Sequence, residues 1–156
     1  MRVERSVKNK NVILKIRLLA TKQEFDDLRD SISINGYNNV ELLDPTNAET
    51  VRKETINADI LLLLESLNPQ SESDLGVLPG KLFENLIYKA PILAICSQKS
   101  FIKKILDETK RGSIAETKEQ IVNFLQNNEE FKLRDIDQIF KYSRKNQTEK
   151  FVELIR

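Results

Sequence analysis

Hydrophobic and polar positions along this chain follow two different periods, and the switch between them recurs about five times. Over residues 12–19, Leu14, Ile16 and Leu18 fall on one side and Lys15 and Arg17 on the other, the period of two of a half-buried strand. Thr21 and Glu24 then have the spacing of a capping box. Phe25, Leu28 and Ile32 line one face of the helix that follows, and Gly36 stops it. Val40–Leu43 predicts a second strand. Thr46 and Glu49 repeat the capping signature before a short helix over about residues 48–57.

Residues 60–64 are apolar without alternation, which predicts a strand covered on both faces. A helix over residues 81–89 stops ahead of Pro91, and residues 92–96 form another fully buried strand. Phe101, Ile102, Ile105 and Leu106 make the stripe of a further helix closed by Gly112, followed by a minimal strand at Ile114 and Ala115. Thr117 and Gln120 open a helix carrying Ile121, Val122 and Leu125. The end of the chain is helical around Phe151, Val152 and Ile155. Strand–helix alternation of this kind predicts an α/β fold, a doubly wound, mainly parallel sheet with helices on both faces, formed by residues 1–156 as one domain.

Composition narrows the chemistry. At 156 residues, 40% of them hydrophobic and 31% charged, the chain can bury about 70% of its unfolded surface, as an ordinary globular domain does. Its formal charge of +1 provides no electrostatic pull toward nucleic acid or an anionic membrane. The basic pairs Lys103-Lys104 and Lys110-Arg111 lie in helical patterns beside acidic residues, as solvated helix surface does. Cys96, at the end of an apolar run, has no second cysteine to pair with and reads as a small core residue. With no histidine in the sequence, Ser-His-Asp catalysis and His-ligated zinc are excluded within this chain. No apolar stretch approaches the ~20 residues of a membrane span, and Met1 is not followed by a signal-like segment. A cytoplasmic protein is expected.

Most connections are short, but residues 65–80 leave the most apolar strand and run directly into a helix. A long loop in that position is usually functional. The helix opens with Gly80 and Lys81. On a wheel, Leu82, Phe83, Leu86 and Ile87 face the core, while Lys81, Glu84 and Tyr88 group on the opposite side. Free amide groups at a helix start, a glycine permitting close approach and an adjacent lysine suit an anionic phosphate. A carboxylate one turn on could accept hydrogen bonds from neighbouring sugar hydroxyls. Equally, Lys81 and Glu84 could form a surface ion pair contributing under ~1 kcal/mol.

Residues 59–64, then Pro79-Gly80-Lys81-Leu82-Phe83-Glu84-Asn85-Leu86, then Ala90-Pro91-Ile92-Leu93-Ala94-Ile95 resemble the C-terminal half of GT-B glycosyltransferases of the group 1, retaining type. That family often has a Lys-Leu-Phe-Glu-Tyr-Leu helix followed by a Pro-Ile-Leu-Ala strand, and Lys141-Tyr142-Ser143-Arg144 is similar to its Phe-Ser-Arg ending. The resemblance, which spans residues 12–156, implies a Rossmann-like domain of a bacterial enzyme. Its donor would be a nucleoside-diphosphate sugar, held by Gly80, Lys81, Leu82 and Glu84, with Glu84 on the ribose hydroxyls. It implies no tightly bound cofactor or metal, transfer to an acceptor in surface polysaccharide or glycoconjugate synthesis, and a peripheral place at the inner membrane for the whole enzyme. The family's other paired glutamate falls on Gly76, so no catalytic carboxylate is assigned. The resemblance further implies an acceptor domain, and a preceding strand and helix with basic residues, of which residues 1–156 hold only the end; this chain alone is expected to be inactive. The apolar residues of the terminal helix would then be exposed and open to dimerisation.

A non-catalytic binding module of the same fold is the competing expectation, suggested by Gly76. A dinucleotide-dependent oxidoreductase would need a Gly-x-Gly-x-x-Gly turn, and none of the four glycines is so spaced. A receiver-type signalling domain would need acidic residues after its first and third strands, and Leu64-Glu65-Ser66 offers nothing convincing.

Overall fold

The computed structural model describes residues 12–18, 20–132 and 136–155. Leu19, expected to end the first strand, lies outside the described residues, as do residues 1–11, the place of the expected end of a preceding helix and of the absent signal-like segment. The chain is α/β, and contacts divide it into two compact units with their boundary between Arg52 and Lys53.

In the first unit β1 (Leu14–Arg17) pairs in parallel with β2 (Val40–Leu43), in a register that sets Lys15 opposite Glu41. Those two side chains pair at 3.6 Å. The connection is α1 (Lys22–Ile34), opened by the expected capping box: Glu24 Oε2 accepts from the Thr21 amide at 2.8 Å, and Thr21 Oγ1 accepts from the Glu24 amide at 3.3 Å. Gly36 follows with φ +67, the left-handed conformation that ends a helix at little cost to glycine. Phe25 is buried on this helix, and the Arg29 guanidinium stands 4.9 Å over its ring. The next helix, α2 (Ala48–Ile56), spans the boundary. Its first turn is capped by Asn47 and not by Thr46: Asn47 Oδ1 accepts from the Thr50 amide at 2.9 Å.

The second unit is built on a parallel sheet in the order β3 (Leu61–Leu64), β4 (Ile92–Ile95), β5 (Gly112–Ala115). Between β3 and β4 lie α3 (Glu72–Leu75) and α4 (Gly80–Asn85), and between β4 and β5 lies α5 (Phe101–Thr109). After β5 come α6 (Lys118–Gln126), a 3-10 turn at Glu129–Lys132, α7 (Ile136–Phe140) and α8 (Arg144–Leu154). One face of the sheet, with Leu61, Leu63, Ile92, Ala94 and Ile114, packs against Leu82 and Leu86 and against Ile102, Ile105 and Leu106 of α5. Its other face, with Leu93 and Ala115, packs on Phe124 of α6, whose ring stacks on Phe131 at 5.5 Å. Helices thus cover both faces of this sheet, which is three strands wide.

Several expectations fail locally. The unbroken apolar run over residues 60–64 predicts cover on both faces, but Leu62 and Leu64 are exposed, the latter by 63%. β3 is an edge of its ladder, where one row of side chains can remain uncovered. The Phe101 ring is also exposed, because α5 starts there and its buried stripe runs through Ile102, Ile105, Leu106 and Thr109. α5 ends on Lys110, in the left-handed conformation at φ 51, and not on Gly112. Gly112 begins β5, where an added Cβ would lie 1.8 Å from the Ile92 carbonyl oxygen. The pair Lys110-Arg111 is not wholly solvated surface either, since the Arg111 side chain is fully buried.

Candidate functional site

Three strands of the second unit point their carboxyl ends the same way, and the connections leaving them collect polar groups there. Glu65 and Ser66 follow β3, Cys96 and Ser97 follow β4, and Glu116 follows β5. The main chain ties these turns together. The Glu65 amide donates to the Ile95 carbonyl at 2.9 Å, that of Cys96 to Ala115 at 3.3 Å, and that of Ser97 to Ser66 at 3.3 Å. The Gln98 amide donates to Glu116 Oε1 at 2.5 Å. Ser100 caps α5, its hydroxyl accepting from the Ile102 amide at 3.3 Å.

Cys96 lies fully buried in this corner, as its apolar run predicted. Burial pushes its thiol up to about 11; a hydrogen bond with Ser100 works in the opposite direction, while the carboxylates of Glu116 and Glu65 push it further up. The sulfur is therefore a neutral packing group at physiological pH. The same two carboxylates disfavour an anion at this edge of the sheet. Nor does the strand order reverse within β3-β4-β5, so this sheet contains no switch point of the kind that opens a ligand crevice in doubly wound folds.

The loop over residues 65–80 is partly structured. Ser71 and Asp74 form a complete capping box around α3: Asp74 Oδ2 accepts from the Ser71 amide at 3.0 Å and Ser71 Oγ from the Asp74 amide at 3.3 Å. The signal, Ser-x-x-Asp, was present in the sequence, but it sits in a polar run without an apolar face. Gly76 is the C-cap of this helix at an ordinary φ of -83, and its hydrogen position points toward the Ser73 carbonyl, 3.4 Å from an added Cβ.

α4 follows directly. Gly80 is its first residue, exposed and with open space where a side chain would be. Lys81 and Glu84 share its solvent face and pair at 2.9 Å, with 71% and 54% of their side chains exposed. Leu82 is completely buried against the sheet and contributes packing, with no surface to offer a ligand. The helix is six residues long, so its terminal dipole is that of a turn and a half, and Pro79 supplies no side-chain cap. Helical spacing therefore does not continue to residue 89 as the sequence pattern predicts. Ile87, expected in the core, is 61% exposed, and Tyr88, expected opposite, is half-buried against the main core. Both lie beyond Asn85, where helical periodicity no longer applies.

The structure joins two segments singled out separately in the sequence. Phe83 of α4 and Tyr142 have ring centroids 6.1 Å apart, tilted at 34°. The Tyr142 hydroxyl donates to Glu108 Oε2 of α5 at 2.6 Å, and Ser143 caps α8 by accepting from the Asn146 amide at 3.2 Å. Burial and that carboxylate raise the Tyr142 hydroxyl to about 12. Among the described residues no group of three His, Cys, Asp or Glu side chains could hold a metal ion, and no helix is long and apolar enough to cross a membrane. Comparison of the chain with protein-family models, with curated proteins and with solved structures yields no match.

Proposed function

We propose that this chain is the donor-binding part of a GT-B glycosyltransferase of the group 1 type, holding a nucleoside-diphosphate sugar for transfer to an acceptor of the surface-polysaccharide or glycoconjugate class. The observation that carries the reading is α4: it is fed from the carboxyl end of a parallel strand, anchors itself through Leu82, and sets Lys81 and Glu84 side by side on its exposed face. In this reading Gly80 lets the diphosphate approach the main chain, Lys81 neutralises it and Glu84 accepts from the ribose hydroxyls. The Rossmann-like, doubly wound character of the fold, the cytoplasmic setting and the acceptor domain completing the cleft belong to the same proposal. The protein's contribution to transfer would be stabilisation of the departing diphosphate charge.

A second reading has one observation in its favour. Gly76 brings no carboxylate to the position where the family carries one, and the nearby Asp74 is committed to its capping box. A non-catalytic module that binds without transferring fits that arrangement.

Calorimetry with uridine- and guanosine-diphosphate sugars tests the donor site. One of them is expected to bind saturably, and Glu84→Ala to weaken it by about 1–3 kcal/mol through lost charged hydrogen bonds. Equal affinity of wild type and variant defeats the assignment of Glu84. Binding without sugar transfer in an assay supplying the acceptor domain selects the second reading.

A further inference from the structure

We infer that residues 136–142 act as a strap that fixes α4 on the sheet, with Tyr142 as its fastening point and hence as a positioning residue for the Lys81–Glu84 face. A helix of six residues does not hold itself together in water, so its placement depends on its neighbours. Leu82, with Leu86 just beyond the last turn, fastens it to the main core from below. Phe83, half-buried, packs on the edge of the same core and meets the Tyr142 ring there at 6.1 Å. Tyr142 is itself tied at its far end to Glu108 by the 2.6 Å hydrogen bond, and Ile139 of α7 packs on the same core.

The corner carrying Tyr142 is pinned in turn. The Tyr142 amide donates to Ile139 and the Ser143 amide to Phe140, each at 3.0 Å. From the first turn of α8, Asn146 Nδ2 reaches the Phe140 carbonyl at 3.2 Å and Gln147 Nε2 reaches that of Lys141 at 2.5 Å. The chain of contacts runs from the start of α8 through the corner to Phe83, whose neighbours on α4 include the exposed Lys81–Glu84 pair. That the pair presents itself to a nucleotide rests on the function proposed above; the strap itself does not.

Hydrogen exchange by mass spectrometry on the whole chain distinguishes the two. In Tyr142→Ala the amides of α4 should exchange about tenfold faster while β4, β5 and α6 keep their wild-type protection. Tyr142→Phe, which keeps the ring on Phe83 but loses the bond to Glu108, should fall between. Unchanged exchange of α4 in Tyr142→Ala overturns the strap, and so does uniform acceleration throughout the second unit. If Tyr142→Ala does not fold, Tyr142→Phe decides: faster exchange confined to α4 supports the strap and wild-type exchange there overturns it. A loosened α4 whose variant binds uridine diphosphate as the wild type does upholds the strap while removing α4 from the nucleotide site.

Discussion

Arg111 shows how much one side chain can organise. Fully buried, it donates through Nη1 to the Phe131 carbonyl at 2.7 Å, through Nη2 to those of Ala90, at 2.8 Å, and Tyr88, and through Nε to that of Leu86 at 3.3 Å. Three of these acceptors lie in the turn that leads from α4 into β4, where main-chain oxygens would otherwise be buried without partners. A planar guanidinium can serve several carbonyls at once, and a lysine ammonium cannot reproduce that fork. Arg111→Met should therefore cost about 3–5 kcal/mol, and Arg111→Lys somewhat less, read from urea midpoints. Wild-type stability in Arg111→Lys would contradict the role. In the sequence the residue looked like solvated surface, because a Lys-Arg pair at the end of a helical stripe normally is. What reverses it is Lys110: its left-handed conformation ends α5, and the next side chain turns inward. A non-glycine left-handed residue leaves little trace in a sequence.

At the scale of elements, β4 and β5 lie so close that one position admits no side chain. Gly112 pairs with Ile92, and a Cβ there would stand 1.8 Å from the Ile92 oxygen and 2.9 Å from its nitrogen, atoms held by the ladder itself. The Arg111 carbonyl accepts from the Ile92 amide at 2.8 Å next to this position, so the strands cannot part without losing it. Gly112→Ala is expected to destabilise the chain by about 3 kcal/mol or more, through overpacking against main chain that cannot yield. Thermal melts of the two proteins check it, and a variant melting within a degree or two of wild type would show that β5 can shift. Elements with a clear period and a side-chain cap were legible in the sequence. The strands at Val40–Leu43 and Ile92–Ile95, and the helices opened by Thr21 and Thr117, lie where their patterns place them. Short helices were not. α3 and α7, with four and five residues, have too few turns to show periodicity, and α4 ends before the apolar residues that seemed to extend it. That Lys81 and Glu84 share a face was legible because one turn brings positions i and i+3 together; Tyr142, which packs on Phe83 between them, lies 59 residues beyond Phe83, a separation no local pattern spans.

Across the whole molecule, alternation of strand and helix announced parallel pairing but not which strands are neighbours, since every short parallel strand carries the same apolar signature. The outcome, among the described residues, is two parallel sheets and an uneven distribution of core. Among the described residues up to Arg52, Phe25 is the one buried hydrophobic side chain; the remaining buried apolar residues belong to the second unit. Apolar burial is the main favourable term in folding, at about 25 cal/mol per Å², so the two units differ in the stabilisation each carries. A pair of strands with one helix is also close to the smallest arrangement that persists in water. The first unit should consequently open at lower free energy than the second, and the two should not unfold as a single cooperative block. Limited trypsin digestion under native conditions is expected to cut first at basic sites before Lys53, and to leave a resistant fragment that begins within α2 or just beyond it. Mass spectrometry of the time course identifies that fragment. The second unit also presents cleavable bonds at the exposed Lys103, Lys104, Lys145 and Lys150, so its survival would reflect protection by folding and not a lack of sites. Loss of the intact chain with no fragment accumulating would mean instead that the units unfold together, and that the core on the β3–β5 side stabilises both.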